Sequence, residues 1–165
     1  MRIIGHLDTI YQCLNVKLHL SDANIPMLKA DGRLGGVFFL HFLLHAVVFD
    51  LTRVSLPGFT FPLASAFQHA PPDFRSDIQT RCWHHALLAS ELVRKGLHFG
   101  REAFDDIFTT DAALEAAKIQ IIYASTVSLA PDVIMKTRDC LSSTLHFFAT
   151  VDRGKSGQNQ YVRRN

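Results

Sequence analysis

Cysteine is scarce in this chain. Only Cys13, Cys82 and Cys140 occur in 165 residues, far apart and with no Cys-x-x-Cys. An odd, scattered set supplies neither a disulfide framework nor a structural zinc site. Buried free thiols in a reducing compartment are the expectation. Charge is low as well: charged residues make up 19% and the formal net charge is +2. No global field therefore marks a nucleic-acid binder, and direct nucleic-acid binding is not expected. The opening MRIIGHLDTIYQC has no long apolar core and no small-residue cleavage site, so it is not read as a secretory signal. The longest apolar run carries two histidines and falls short of the ~18–20 residues that a bilayer crossing needs. No membrane partner and an intracellular location are expected. Sustained strand alternation, internal repeats and low-complexity tracts are also missing, which leaves an all-α class.

What the chain has in quantity is apolar side chain. Hydrophobic residues reach 48%, with 13 phenylalanines. That is high for a free-standing small protein, so some apolar surface is expected to lie against a partner or the rest of a longer chain. The stretch LGGVFFLHFLLHAVVFDLTRVSLPGF, from Leu34 to Phe59, dominates. Between Val37 and Phe49 only His41 and His45 interrupt it. A helix apolar on every side must be buried. Pro57-Gly58 ends it, since proline cannot continue a helix and glycine allows the turn. The pattern predicts a helical array packed around a central buried helix, about Leu34–Leu56.

The flanking elements follow from punctuation. Ile3, Leu7, Ile10 and Leu14 predict a loose helix over Ile3–Val16. His19–Arg33, broken by Asn24, Pro26, Asp31 and Gly32, reads as a connection. A turn of helix is expected at Leu63–Phe67. Ala70-Pro71-Pro72-Asp73 opens the next helix with Asp73 as its cap, and Gly96 and Gly100 end it. Its stripe runs through Phe74, Ile78, Cys82, Ala89, Leu92 and Val93. Trp83, Leu87 and Leu88 lie outside that stripe, so neighbours are expected on two sides. Arg101–Phe108 is a short amphipathic piece. Thr109-Thr110-Asp111 caps a helix over Ala112–Ser128. Pro131 starts the last helix, with Val133, Ile134, Leu141, Leu145 and Phe148 as its apolar stripe. Residues 1–151 read as one helical regulatory domain, a fragment of a larger one, and 152–165 as a disordered polar tail.

Chemistry is thin. His41 and His45, four apart, have a spacing that can ligate zinc. Phe42-Leu43-Leu44 lies between them in place of a catalytic Glu, and no third ligand suggests itself. The rings are read as core or pocket histidines, each bonded to a backbone carbonyl or a neighbouring helix. His84 and His85 point about 100° apart and cannot chelate one ion together; a surface or helix-packing role is expected. Asp105-Asp106 sits where carboxylates favour a helix start. Leu40-His41-Phe42-Leu43-Leu44 matches a coactivator-groove box but reads as core. No nucleophile elbow or phosphate loop occurs, so no catalytic, metal or DNA-binding residue is named and the chain is not read as an enzyme.

One resemblance stands out. Arg53-Val54-Ser55-Leu56-Pro57, then Ala70-Pro71-Pro72, then Cys82-Trp83-His84-His85-Ala86, all after Leu40-His41, follow one another in a familiar order. Over roughly Ile10–Thr150 the chain resembles the fungal-specific transcription factor domain, the middle homology region of fungal zinc-binuclear-cluster transcription factors. The resemblance implies a nuclear, non-catalytic regulatory module that tunes an activator without reading DNA. Its partners would be other parts of a parent factor, other transcriptional regulators, or a small-molecule effector. Zinc would belong to a six-cysteine DNA-reading cluster that these three cysteines cannot form, so no cofactor is expected. His41, His45 and Arg53 are the candidate effector or partner contacts. Two other readings remain open: a small helical metal protein or enzyme using His41 and His45, and a non-catalytic scaffold fragment that depends on a larger parent chain.

Overall fold

The computed structural model describes residues 2–59, 67, 69–104 and 107–162. Among these the chain is all-α: six helices and no strand. They are α1 (Arg2–Gln12), α2 (Ile25–Ala30), α3 (Leu34–Thr52), α4 (Pro72–Gly96), α5 (Ile107–Ile122) and α6 (Pro131–Val162). Short 3-10 turns cover Val16–Leu18, Arg53–Ser55 and Leu97–Glu102, and a π-turn covers Tyr123–Val127.

Helix α3 is the interior strut. It packs against α1, α2, α4 and α5. Phe38, Phe42 and Phe49 are each 1% exposed. Its glycine-rich start has a packing reason at one position: a Cβ on Gly35 would stand 2.9 Å from the Glu102 carbonyl oxygen. Glycine there lets α3 approach the 97–102 turn. The far end tightens into the Arg53–Ser55 turn and stops at Pro57 and Gly58, whose φ is 87°. With that turn the helical stretch Leu34–Ser55 has 22 residues, long and apolar enough by length and composition to cross a membrane. The apolar run alone reads as too short; the 3-10 turn and the glycines lengthen it. Half of that window is buried inside the fold (50%).

The main core lies where α3, α4, α5 and α6 meet. Phe42, Ala46 and Phe49 face Cys82, Ala86, Ala89 and Val93 of α4. Ala112, Ala113, Ala116 and Ile119 come from α5, and Val133 and Phe147 from α6. The alanines on α4 and α5 keep the helix backbones close, so small side chains set the spacing and phenylalanines fill it. Helix α4 touches α3, α5 and α6, the several-sided role that Trp83 and Leu87 indicated. Buried polar groups cross-link the helices. Gln120 Nε2 donates to the Ala86 carbonyl at 2.8 Å and to Ser90 Oγ at 2.7 Å. Gln79 Nε2 donates to the Ser55 carbonyl at 2.7 Å. A second cluster joins Ile25 and Leu28 of α2 to Leu34, Val37 and Phe38 of α3.

Several expectations are corrected. Residues 25–30 form α2, where a plain connection was read; Pro26 sits in its first turn, where a missing N–H costs nothing. Asp73 lies in the first turn of α4 but does not cap it; Pro71 holds the N-cap position and no side chain caps there. The amphipathic piece at Arg101–Phe108 is instead the tail of the 97–102 turn and the start of α5. Thr109-Thr110-Asp111 lies inside α5, which begins at Ile107, and Thr109 is 1% exposed. On α6 the buried line is Val133, Thr137, Thr144 and Phe147, whereas Ile134 and Leu145 are exposed. Two threonines hide the true stripe: Thr137 accepts from Trp83 Nε1 at 3.4 Å, and Thr144 Oγ1 donates to the Cys140 carbonyl at 3.1 Å. The backbone of α6 runs helical from Pro131 to Val162. The turn read at Leu63–Phe67 lies outside the described residues except for Phe67, as does Asp105-Asp106.

A candidate histidine-lined cleft

One flank of α3 carries His41 and His45, a turn apart and almost wholly buried at 3% and 7% exposure. Each is tied down by one ring nitrogen. His41 Nε2 lies 2.7 Å from the Leu18 carbonyl oxygen. A carbonyl only accepts, so Nε2 carries the proton and Nδ1 keeps a bare lone pair. His45 Nδ1 lies 3.1 Å from His85 Nδ1 on α4. One of these nitrogens donates and the other accepts, so the pair holds a single proton between them. Burial is the main reason His45 is pushed down to about 3, with His85, His41 and His84 adding repulsion. His41 is lowered too, first by burial and then by His19 and Lys95, against the raising effect of the Leu18 hydrogen bond.

Tyr11 at the end of α1 covers both rings, with centroids 5.5 Å from His41 and 5.6 Å from His45. The link from α1 to α2 closes the other side. His19 stands 6.4 Å from the His41 ring and its Nε2 is 3.2 Å from the Leu14 carbonyl oxygen. Lys95 Nζ on α4 donates to the Leu20 carbonyl. The link is thus tied to α3 by His41 and to α4 by Lys95. These elements leave two neighbouring clefts that share Tyr11, His45 and Leu88. The larger, about 550 Å³, also meets His19, His41, Glu91, Lys95 and His98. The smaller, about 460 Å³, also meets Leu7, Leu44, His84 and His85.

The sequence candidates separate. His41 and His45 come together at the cleft; Arg53 does not join them. It lies eight residues beyond His45, about 12 Å along the axis. Its Nη1 donates to Glu115 Oε2 at 2.7 Å, its Nε is 3.2 Å from Asp50, and its guanidinium lies 5.6 Å from the Phe59 ring centre. It clasps the end of α3 to α5. The metal spacing of His41 and His45 is not used either, because His45 turns to His85 and His41 to a carbonyl. Among the described residues no group of three His, Cys, Asp or Glu side chains could hold a metal ion. Cys82 is fully buried and its thiol is pushed up to about 12 mainly by burial, so it is no nucleophile at neutral pH. Sequence reading missed Tyr11, His19 and Lys95, which reach the cleft from separate elements. For His85 the helix-packing role was legible, though its partner was not.

The arrangement suits reversible binding of a small molecule: open to solvent, mixed in polarity, and within the usual volume of ligand sites. Comparison with protein-family models, curated proteins and solved structures gives no match.

Proposed function

We propose that this chain is a regulatory module of a transcription factor of the fungal-specific type, in which a small effector or a partner side chain occupies the histidine-lined cleft. The observation that carries this reading is the pair His41 and His45. Each is buried and anchored through one nitrogen, and each lines an open cleft. A core that only needed filling would have apolar side chains there, as the opposite flank has in Phe42, Ala46 and Phe49. Occupancy would bias the packing of α1 and the 13–24 link against α3 and α4, which is a population shift between two arrangements. On this reading the module tunes a parent factor in the nucleus, makes no base contacts and performs no catalysis.

The test is a reporter in a fungal host. The full chain is fused between an unrelated DNA reader and an activating segment, and compared with His41→Leu/His45→Leu. The expected result is altered reporter output with the native chain and loss of that effect in the double variant, with cooperative melting retained. Unchanged output together with a raised melting point would make the histidines plain core and overturn the proposal. A native chain that melts without cooperativity would favour a scaffold fragment dependent on its parent.

A further inference from the structure

The polar groups around the larger cleft differ in what they offer, and the difference specifies a ligand. His41 and His19 both place Nε2 against backbone carbonyls, of Leu18 and Leu14, so both rings are held in the Nε2–H form. Neutral, each keeps Nδ1 as an acceptor. His41 is 3% exposed, and among the described residues its Nδ1 has no protein partner. On the α4 wall the offer is opposite. Lys95 gives one N–H to the Leu20 carbonyl, and its nearest carboxylate, the fully exposed Asp22, stands 3.9 Å away, too far for a hydrogen bond. Two N–H groups of Lys95 remain. Arg94 lines the same cleft, and among the described residues no carboxylate forms a salt bridge with it. Glu91 is the one acidic side chain in the lining. Tyr11, Leu20, Leu88 and Leu92 supply flat and apolar wall to the same cleft.

We propose that this cleft takes a small aromatic or similarly flat organic anion that also bears a hydroxyl or N–H group: the anion meets Lys95 and Arg94, and the donor meets Nδ1 of His41. This rests on the effector-binding reading of the cleft and narrows it to one ligand class. A cationic ligand would face Lys95 and Arg94. A neutral one would cover their charges without pairing them, which is costly. An anion lacking the donor would leave the His41 lone pair dry and unpaired, a loss of about tenfold in affinity.

The experiment is a nuclear magnetic resonance titration of the full chain at neutral pH. It follows the histidine ring protons and the amides of the 13–24 link and α4. The probes are 4-hydroxybenzoate, benzoate, 4-hydroxybenzamide and 4-hydroxybenzylamine. The expected order places 4-hydroxybenzoate first, benzoate and the amide each about tenfold weaker, and the amine weakest. Lys95→Met should weaken 4-hydroxybenzoate by about tenfold or more, and by more than it weakens the amide, which feels only the lost tie to Leu20. Arg94→Gln repeats the test at a side chain that makes no hydrogen bond or ion pair among the described residues. If the amide or amine saturates the cleft as tightly as the acid, or if both substitutions leave the acid unaffected, the anion assignment falls while the effector cleft stands. If no probe shifts any cleft residue, both fall.

Discussion

The two flanks of α3 are built on different terms. Toward α4, α5 and α6, Phe42, Ala46 and Phe49 meet alanine, valine and isoleucine in a buried apolar layer. Toward α1 and the 13–24 link, His41 and His45 meet a tyrosine edge, a carbonyl and another histidine, with open clefts alongside. The cover on that side is thin. Ile10 on α1 is 51% exposed and Tyr11 36%. One helix therefore serves as a sealed core on one side and as the floor of a site on the other. Burial alone does not separate the two, since His41 is about as buried as Phe42. The separation lies in whether the buried atoms have all their partners.

That contrast can be broken in several ways, beginning with the largest effect. Phe42→Ala removes a ring from the sealed flank and should cost about 3–5 kcal/mol, read by urea denaturation. A loss under about 1 kcal/mol would mean that the main core is loosely packed. Acid should act on the other flank. The usual histidine value of 6.5 applies to the unfolded chain, while folded His45 sits at about 3. The unfolded chain takes the proton first, so this stabilisation is complete above pH 6.5 and is lost as pH falls toward 3. The slope should approach about 1.4 kcal/mol per pH unit. His41, also lowered, adds in the same direction. In His45→Leu this slope should flatten in denaturation series between pH 7 and pH 5.

Two neighbouring glycines sharpen the contrast residue by residue. A Cβ on Gly35 meets the Glu102 carbonyl oxygen at 2.9 Å, whereas one on Gly36 meets nothing within 4 Å. Gly36→Ala should stabilise the chain by up to about 1 kcal/mol through helix propensity. Gly35→Ala should destabilise it by about 1–2 kcal/mol through the backbone clash. Thermal melts of the two variants should therefore move in opposite directions. The smallest effect is expected at Ile10→Ser, which alters the exposed side of the thin cover. It should change stability by no more than about 0.5 kcal/mol.

Much of the scaffold was legible wherever one residue type dictates backbone geometry. Pro57-Gly58, Pro71-Pro72 and Pro131 bound α3, α4 and α6 where they were expected. An unbroken apolar run served α3 and apolar periodicity served α4, in which hydrophobic residues fill the core. It failed on α6, because Thr137 and Thr144 pack inside with their hydroxyls bonded while Ile134 and Leu145 face outward. Counting apolar residues cannot find a stripe that is half threonine. Pro26 was read as a breaker and is a helix opener, since its effect depends on which turn it occupies. For the candidate site, His41 and His45 were legible as bonded pocket histidines because nothing else polar interrupts the helix. Their partners were not, because Leu18 and His85 lie 23 and 40 residues away in sequence. Arg53 attracted notice as a spare cation, yet Asp50 and Glu115 complete it far from the cleft.

The stacking of Trp83 on Tyr123, with ring centres 5.0 Å apart and planes 13° from parallel, has a practical consequence. Trp83 is the only tryptophan in the chain and meets Tyr123 of the π-turn and Thr137 of α6, while His85, two residues on, meets His45 of α3. Its intrinsic fluorescence is therefore an optical gauge of the sealed flank, separate from the rings under Tyr11. Emission that holds steady while the imidazole signals shift would record a ligand entering without disturbing the rest of the molecule. Emission that changes with them would show the message crossing α4.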